Sequence, residues 1–251
     1  MAIGAPPPST GALHESRLSA MRTQLELPVE GLKVDHVSAI LEIPDSADPS
    51  VAVLLAHGAG ASMESDFMEA VAARLVHGGL PVLRFRYPYM ERAAREGRRF
   101  PPDRRPALEA VHLAALDELR ERFPDARYVL AGKSMGGRMA SLMAAEGVAC
   151  DGLAFFGYPL HPQGKPEQLR SEHFPACLQP ALFLQGTRDK LCDLELLDEA
   201  LELYGGAHQL HVVEGADHGF DVLKRSGRTS EEVRDELAGV LLDWVERAVR
   251  G

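Results

Sequence analysis

Residues 128–137 read YVLAGKSMGG, and this stretch narrows the folds open to the chain more than any other. Tyr128-Val129-Leu130-Ala131 is a short apolar run with β-branched and aromatic residues, the pattern of a buried strand. Beyond it, Met139-Ala140-Ser141-Leu142-Met143 places apolar residues at helical spacing. The joint is Gly132-Lys133-Ser134-Met135-Gly136, a G-x-S-x-G pattern. Between a strand and a helix this pattern makes a turn so tight that a side chain two residues either side of the serine would strike its neighbours. Glycine has no Cβ to collide. The turn holds the Ser134 hydroxyl clear of the sheet and sets the Met135 N–H beside it, where a positive helix end suits an oxyanion. A phosphate-binding loop, G-x-x-x-x-G-K-S/T, would need glycine at position 127, which is Arg127. A plain strand-to-helix loop stays open on this stretch alone.

The rest of the chain supplies the setting. Val51 to Ala56 is a continuous apolar run, as expected of a strand covered on both faces, and it ends in His57-Gly58-Ala59-Gly60-Ala61-Ser62. Phe67, Val71 and Leu75 mark a helix closed by Gly78-Gly79, and Leu80 to Phe85 reads as another buried strand. Leu108, Val111, Ala115, Leu116 and Leu119 form a helical stripe. Further strands are expected at 127–131, 152–156, 181–184 and 209–213, with helices at 194–204 and from Val233 to Ala248. Leu25-Glu26-Leu27 and Val34 to Ile43 suggest two antiparallel edge strands. Strands alternating with helices give an α/β fold: about eight strands in a mainly parallel sheet, with helices on both faces. Residues 1–20, with Pro6-Pro7-Pro8, read as a mobile tail and residues 21–251 as one domain; whether Met1 or Met21 begins the working domain stays open.

Composition excludes several functions. A net charge of −10 argues against nucleic acid as a partner. No apolar run approaches the roughly 20 residues of a membrane span, and the N-terminus lacks a secretion signal pattern. Cys150, Cys177 and Cys192 are scattered, which fits reduced thiols and a cytoplasmic location. The histidines lack metal-ligand spacing and no cofactor fingerprint occurs, so neither metal nor cofactor is expected.

A serine needs a general base, and the base needs a carboxylate to orient it. After the strand at 181–184 comes Gln185-Gly186-Thr187-Arg188-Asp189; after that at 209–213 comes Glu214-Gly215-Ala216-Asp217-His218-Gly219-Phe220. Ser134, Asp189 and His218 therefore stand in the chain order Ser, Asp, His, each just past a strand. Asp193 and Asp217 are the alternatives to Asp189, although Asp193 reads as a helix cap and Asp217 would have to fold back on its neighbour. The second oxyanion donor is expected from the loop after the first central strand, at Ala59 or next Gly60, with Met135 as the first. His57 reads as a hydrogen-bonder beneath that loop.

Taken together, HGAGASM, RYPYME, AGKSMGGRMAS, GYPLHPQGKPEQLR, LFLQGTRD and ADHGF resemble the α/β-hydrolase superfamily. Within it they resemble the dienelactone-hydrolase-like branch, most closely the hydrolases typified by testis-expressed protein 30. The resemblance runs from about Val51 to the C-terminus. It implies the α/β-hydrolase fold and a serine-hydrolase triad, carried here by Ser134, Asp189 and His218. Dienelactone hydrolases themselves use a cysteine nucleophile, so their substrate does not transfer. Some relatives are thought to serve as chromatin-complex subunits, and a fold alone does not make an enzyme.

Two stretches taken as irregular follow strand ends. Arg84 to Arg105 holds eight arginines against Glu91, Glu96 and Asp103, an excess of +5, and includes Tyr87 as a candidate substrate contact. It reads either as a cap that attracts an anionic acyl group or as a solvated loop whose arginines pair with surface acids. Residues 157–165 are proline-rich, and His161 or Lys165 is placed to hold a substrate carboxylate. Neither stretch is long enough for a large lid. The expectation is a monomeric or homodimeric serine esterase or thioesterase acting on a small acyl substrate. The competing readings are a non-catalytic interaction module on the same scaffold and a small-peptide hydrolase.

Overall fold

The computed structural model describes residues 20–45 and 49–251. The tail expected over 1–20 lies outside the described residues apart from Ala20, which opens the first strand. The strands are β1 (Ala20–Pro28), β2 (His36–Pro44), β3 (Val51–Ala56), β4 (Val82–Phe85), β5 (Arg127–Lys133), β6 (Gly152–Phe156), β7 (Ala181–Gly186) and β8 (His208–Val213). The helices are α1 (Asp66–His77), α2 (Pro88–Glu96), α3 (Arg105–Arg122), α4 (Met135–Ala145), α5 (Leu194–Leu201) and α6 (Ser230–Trp244). The strands form one sheet in the order β1-β2-β4-β3-β5-β6-β7-β8. The pairs β1–β2 and β2–β4 are antiparallel and the others parallel. This is the α/β-hydrolase fold. Of the two strands expected at an edge, only β1 is at one, because β2 is paired on both sides.

Alternate residues of each central strand feed opposite cores. Leu54, Leu130, Leu153, Phe155 and Phe183 pack towards α3, α4 and α5, among Leu116, Leu119, Met139 and Leu197. Val53, Leu55, Val129, Phe156 and Leu184 pack towards α1 and α6, among Val71, Leu75, Leu237, Leu241 and Trp244. Continuous apolar runs are what such two-sided burial requires. The chain leaves β3 towards β4 on one side and returns to β5 on the other. The carboxyl ends of β3 and β5 thus flank a crevice, the place where open α/β sheets bind ligands.

The arginine-rich stretch is not irregular. Pro88 sits in the first turn of α2, and Gly97 closes the helix in the left-handed region at φ 65°, its N–H bonded to Ala93 O. Six of its eight arginines are paired: Arg84 with Glu42, Arg86 with Glu64, Arg92 with Asp103, Arg95 with Glu91, Arg98 with Glu96 and Arg105 with Glu109. The cation-presenting cap is therefore corrected. The partners lie partly outside the stretch, where a local charge count does not see them.

Arg84 is not a loop residue at all. Its side chain is wholly buried in β4 and donates to Glu42 Oε2 at 2.7 Å and to Met63 O at 2.6 Å. Replacing one partner of a buried pair strands the other. Arg84→Met leaves Glu42 with only the longer contact to Arg22 at 3.4 Å. It is expected to cost about 3 kcal/mol in urea unfolding. A loss under about 1 kcal/mol would mean that Arg22 compensates alone.

Candidate active site

The turn after β5 is as tight as glycine allows. A Cβ on Gly132 would lie 2.3 Å from Gly137 N, and one on Gly136 would lie 2.5 Å from Ala56 O. These are backbone atoms of the neighbouring helix turn and of β3, so the chain cannot move aside. Ser134 takes φ 51° and ψ −115°, outside the ordinary regions for a residue with a side chain. Its N–H is held by Phe156 O at 3.1 Å and its carbonyl receives the Arg138 N–H at 3.0 Å, the first hydrogen bond of α4.

Three side chains from three strand ends meet there. His218 Nε2 is 2.8 Å from Ser134 Oγ, and His218 Nδ1 is 2.7 Å from Asp189 Oδ2. A carboxylate only accepts, so Nδ1 carries the proton and Nε2 presents its lone pair to the serine hydroxyl. Asp189 is fixed in turn: Gln185 Nε2 donates to Oδ2 at 2.6 Å and Leu191 N–H to Oδ1 at 2.8 Å. Gln185 accepts the Tyr158 N–H at 2.9 Å on its other end. The two other acids are used locally. Asp193 caps α5 by accepting from Glu195 N and Leu196 N, and Asp217 accepts from Gly219 N and Asp221 N. That bracing accompanies Phe220 at φ 64°, an unusual backbone for a bulky residue, held with its ring buried and stacked 5.7 Å from Phe67.

Facing the serine is the loop after β3. Tyr87 N–H donates to His57 Nε2 at 3.2 Å, so the proton of this ring is on Nδ1, which donates to Gly58 O at 2.7 Å. Tyr89 Oη contacts Gly58 O at 3.3 Å and Ala59 O at 3.1 Å. In a trans peptide the N–H points opposite to the carbonyl, so the Ala59 and Gly60 N–H groups are turned away from buried Tyr89. Met135 heads α4, where N–H groups lack helical partners. A cavity of about 570 Å³ opens between the loop and the serine, and its walls include Gly58, Ala59, Gly60, Phe67, Met68, Leu191 and His218.

Of the expected substrate contacts, none reaches this cavity. Tyr87 is fully buried beneath the loop, its hydroxyl 3.2 Å from His112 Nδ1. His161 is occupied at both ring nitrogens, by Pro162 O and the Asp193 N–H, and lines a separate shallow hollow with Lys190 and Asp193. Lys165 is exposed on the same segment and lines neither cavity. Loop side chains carry no periodicity from which their direction can be read. Residues missed earlier include Gln185, a polar end on the apolar run of β7, and Phe67, Met68 and Leu191 on the cavity wall. Gly157 was missed too: at φ 68°, its missing Cβ leaves room 3.4 Å from His218 Nδ1 and 3.5 Å from Asp189 Oδ2.

A family model described as an alpha/beta hydrolase domain matches residues 49–246. Among solved structures, the chain is similar to a dienelactone hydrolase from Anabaena variabilis, at 22% identity and TM-score 0.72, over 92% of this chain and 99% of that one. It is similar to a cold-adapted esterase from an Arctic intertidal metagenomic library, at 21% identity and TM-score 0.68, over 96% of this chain and 100% of the other. A serine hydrolase without lid from Xanthomonas campestris matches at 21% identity and TM-score 0.66, over 89% and 94% of the two chains. At these identities the likeness is one of fold.

Burial pushes the pKa of His57 and of His173 down from 6.5 to about 4 and that of His112 to about 3. All three rings are neutral in the fold, whereas the unfolded chain takes up their protons near 6.5. Their stabilisation is complete above that pH and is lost as pH falls towards 4. The slope approaches about 4 kcal/mol per pH unit for three protons. Urea unfolding between pH 6.5 and 5, above the usual carboxylate range, measures it. A flat profile would show that the rings are charged in the folded state.

Proposed function

The chain belongs to the alpha/beta hydrolase domain family, and from that premise we propose that it is a serine hydrolase cleaving a small ester or thioester through an acyl-enzyme. The observation that carries this reading is the hydrogen-bonded row Ser134–His218–Asp189 at the mouth of the cavity. The esterase and dienelactone hydrolase likenesses support hydrolysis in general. The finer placement, with the hydrolases typified by testis-expressed protein 30, rests on the six sequence motifs. A cytoplasmic setting agrees with three free cysteines.

In this scheme His218 Nε2 takes the Ser134 proton as Oγ attacks the acyl carbonyl. The oxyanion is stabilised by the N–H groups of Met135 and Ala59, with Gly60 beside them. The imidazolium then protonates the departing alkoxide or thiolate, and the bond from the carbonyl carbon to the leaving group breaks. Water enters and gives a proton to His218 as its oxygen bonds to the acyl carbon; the bond from that carbon to Ser134 Oγ then breaks, His218 returns the proton to Oγ, and the acid leaves. Asp189 keeps the imidazole in the Nδ1–H form throughout. Phe67, Met68 and Leu191 make one wall apolar and suit it to a short hydrocarbon group.

Labelling with a fluorophosphonate probe tests the assignment, with esters of graded chain length as substrates. Wild type is expected to label, and Ser134→Ala and His218→Ala are not. Ser134→Ala should lower kcat by a factor on the order of 10⁶. A wild-type protein that neither labels nor turns over any acyl substrate would overturn the reading in favour of a non-catalytic interaction module.

A further inference from the structure

Lys133 is the last residue of β5 and directly precedes Ser134, yet nothing in the acyl-transfer scheme uses it. Its side chain is half-buried against the cavity beside Ser134. The ammonium donates to the His218 carbonyl oxygen and lies over two rings, 5.7 Å from the centroid of Phe67 and 5.3 Å from that of Phe220. Among the described residues its hydrogen bond is to a carbonyl and not to a carboxylate. Burial lowers its pKa to about 8, against the opposing pull of Asp189 and Asp217. A buried cation without a bonded counter-ion is costly, and such groups cluster at working sites.

Its location is informative. A Cβ on Gly157 would lie 3.2 Å from Lys133 Nζ, 3.4 Å from His218 Nδ1 and 3.5 Å from Asp189 Oδ2. The ammonium therefore shares one small space with the Nδ1 side of the imidazole, whereas Ser134 is bonded on the Nε2 side. Gly157 and Phe220, its other neighbours there, are not on the cavity wall. Lys133 itself lines the cavity beside Ser134 and His218, as does Phe67, but its ammonium is turned to the Nδ1 side of the base by the bond to the His218 carbonyl.

We propose that Lys133 is a positioning residue: its ammonium clamps the loop carrying His218 and stands as a fixed cation beside the Asp189–His218 hydrogen bond. The inference rests on the serine-hydrolase reading. The clamp joins the carbonyl of the base to the strand that ends in the nucleophile, so the two reacting groups move as one body. The cation also opposes the negative charge around the imidazole, which comes from Asp189 at the end of β7, Asp217 on the same loop and Asp66 on the cavity side of α1.

The test is Lys133→Met, which keeps the length of the stem but removes the donor and the charge. Steady-state ester hydrolysis and fluorophosphonate labelling are measured from pH 5 to 9, beside a melting curve. The expected result is a kcat and labelling rate reduced roughly 10–100-fold with KM little changed. The acid limb of the kcat/KM profile moves to higher pH, because removing a cation favours the imidazolium. A raised KM at unchanged kcat would show that the cation touches substrate, and an unmoved acid limb at unchanged rate would reduce Lys133 to packing; either overturns the proposal. Should Lys133→Met not fold, Lys133→Gln, a shorter uncharged donor, must still show the acid-limb shift, and a wild-type limb in it overturns the proposal equally. Wild type that fails to label would instead remove the serine-hydrolase reading itself.

Discussion

The site depends on how closely the start of α4 can approach the end of β3. A Cβ on Gly136 would stand 2.5 Å from Ala56 O and 2.8 Å from His57 O. The absence of that one atom lets the helix end sit directly against the loop that follows β3. Ser134 accepts a strained backbone as the consequence, at a cost of order 1–3 kcal/mol. The strain is supported by the surrounding sheet: Phe156 holds the serine N–H, and α4 continues from its carbonyl. Because Met135 and the Gly58–Gly60 run are brought together by this approach, nucleophile and candidate oxyanion donors come from a single packing constraint.

Apolar packing cannot orient a loop, and the chain uses buried polar groups for that purpose. Beneath residues 57–60 lies a layer of His57, Tyr87, Tyr89 and His112, all fully buried. Each carbonyl they hold sets the direction of the next N–H, which an aliphatic layer would leave undetermined. The same device recurs at β7, where Gln185 links the Tyr158 amide to Asp189. Desolvation keeps the two buried histidines neutral, so these hydrogen bonds are formed without a buried charge. Rigidity at the site and sensitivity to acid therefore have one origin.

This division explains what could be read in advance. Runs such as Val51–Ala56 and Tyr128–Ala131 declare two-sided burial, and the order Ser134, Asp189, His218 follows from which turn comes after which strand. The structure brings those three together. The helix Pro88–Glu96 was hidden because it is short and charged, and because its proline reads as a breaker when it in fact starts the helix. Arg84 was counted with the arginine-rich stretch although it also falls in the strand expected over Leu80 to Phe85, where it turns inward to Glu42. Tyr87, His161 and Lys165 were assigned by chemistry and proximity in the chain, but the direction of a loop side chain is decided by tertiary partners. Lys133 gave no warning at all: in sequence it is one variable position inside a motif, and only three-dimensional proximity to Gly157 and His218 distinguishes it.

The cavity has no large lid among the described residues, so closure cannot be what aligns the reacting groups. Alignment must be present beforehand. The supports are distributed accordingly: Asp217 braces the loop of the base, Phe220 anchors it against Phe67, and Lys133 ties it to β5. Lys133 acts from the end of β5, whereas Asp217 and Phe220 act within the loop that follows β8. An open site of this kind gives up the exclusion of water that a lid provides, and for hydrolysis that loss is no handicap, because water is the second substrate. Selectivity is then left to the depth and apolar walls of the cavity and not to a conformational step. Phe67 serves both ends, since its ring faces the cavity while stacking on Phe220 behind the base. A change in that ring would couple substrate fit to the position of His218, and this coupling ties the shape of the pocket to the geometry of the chemistry.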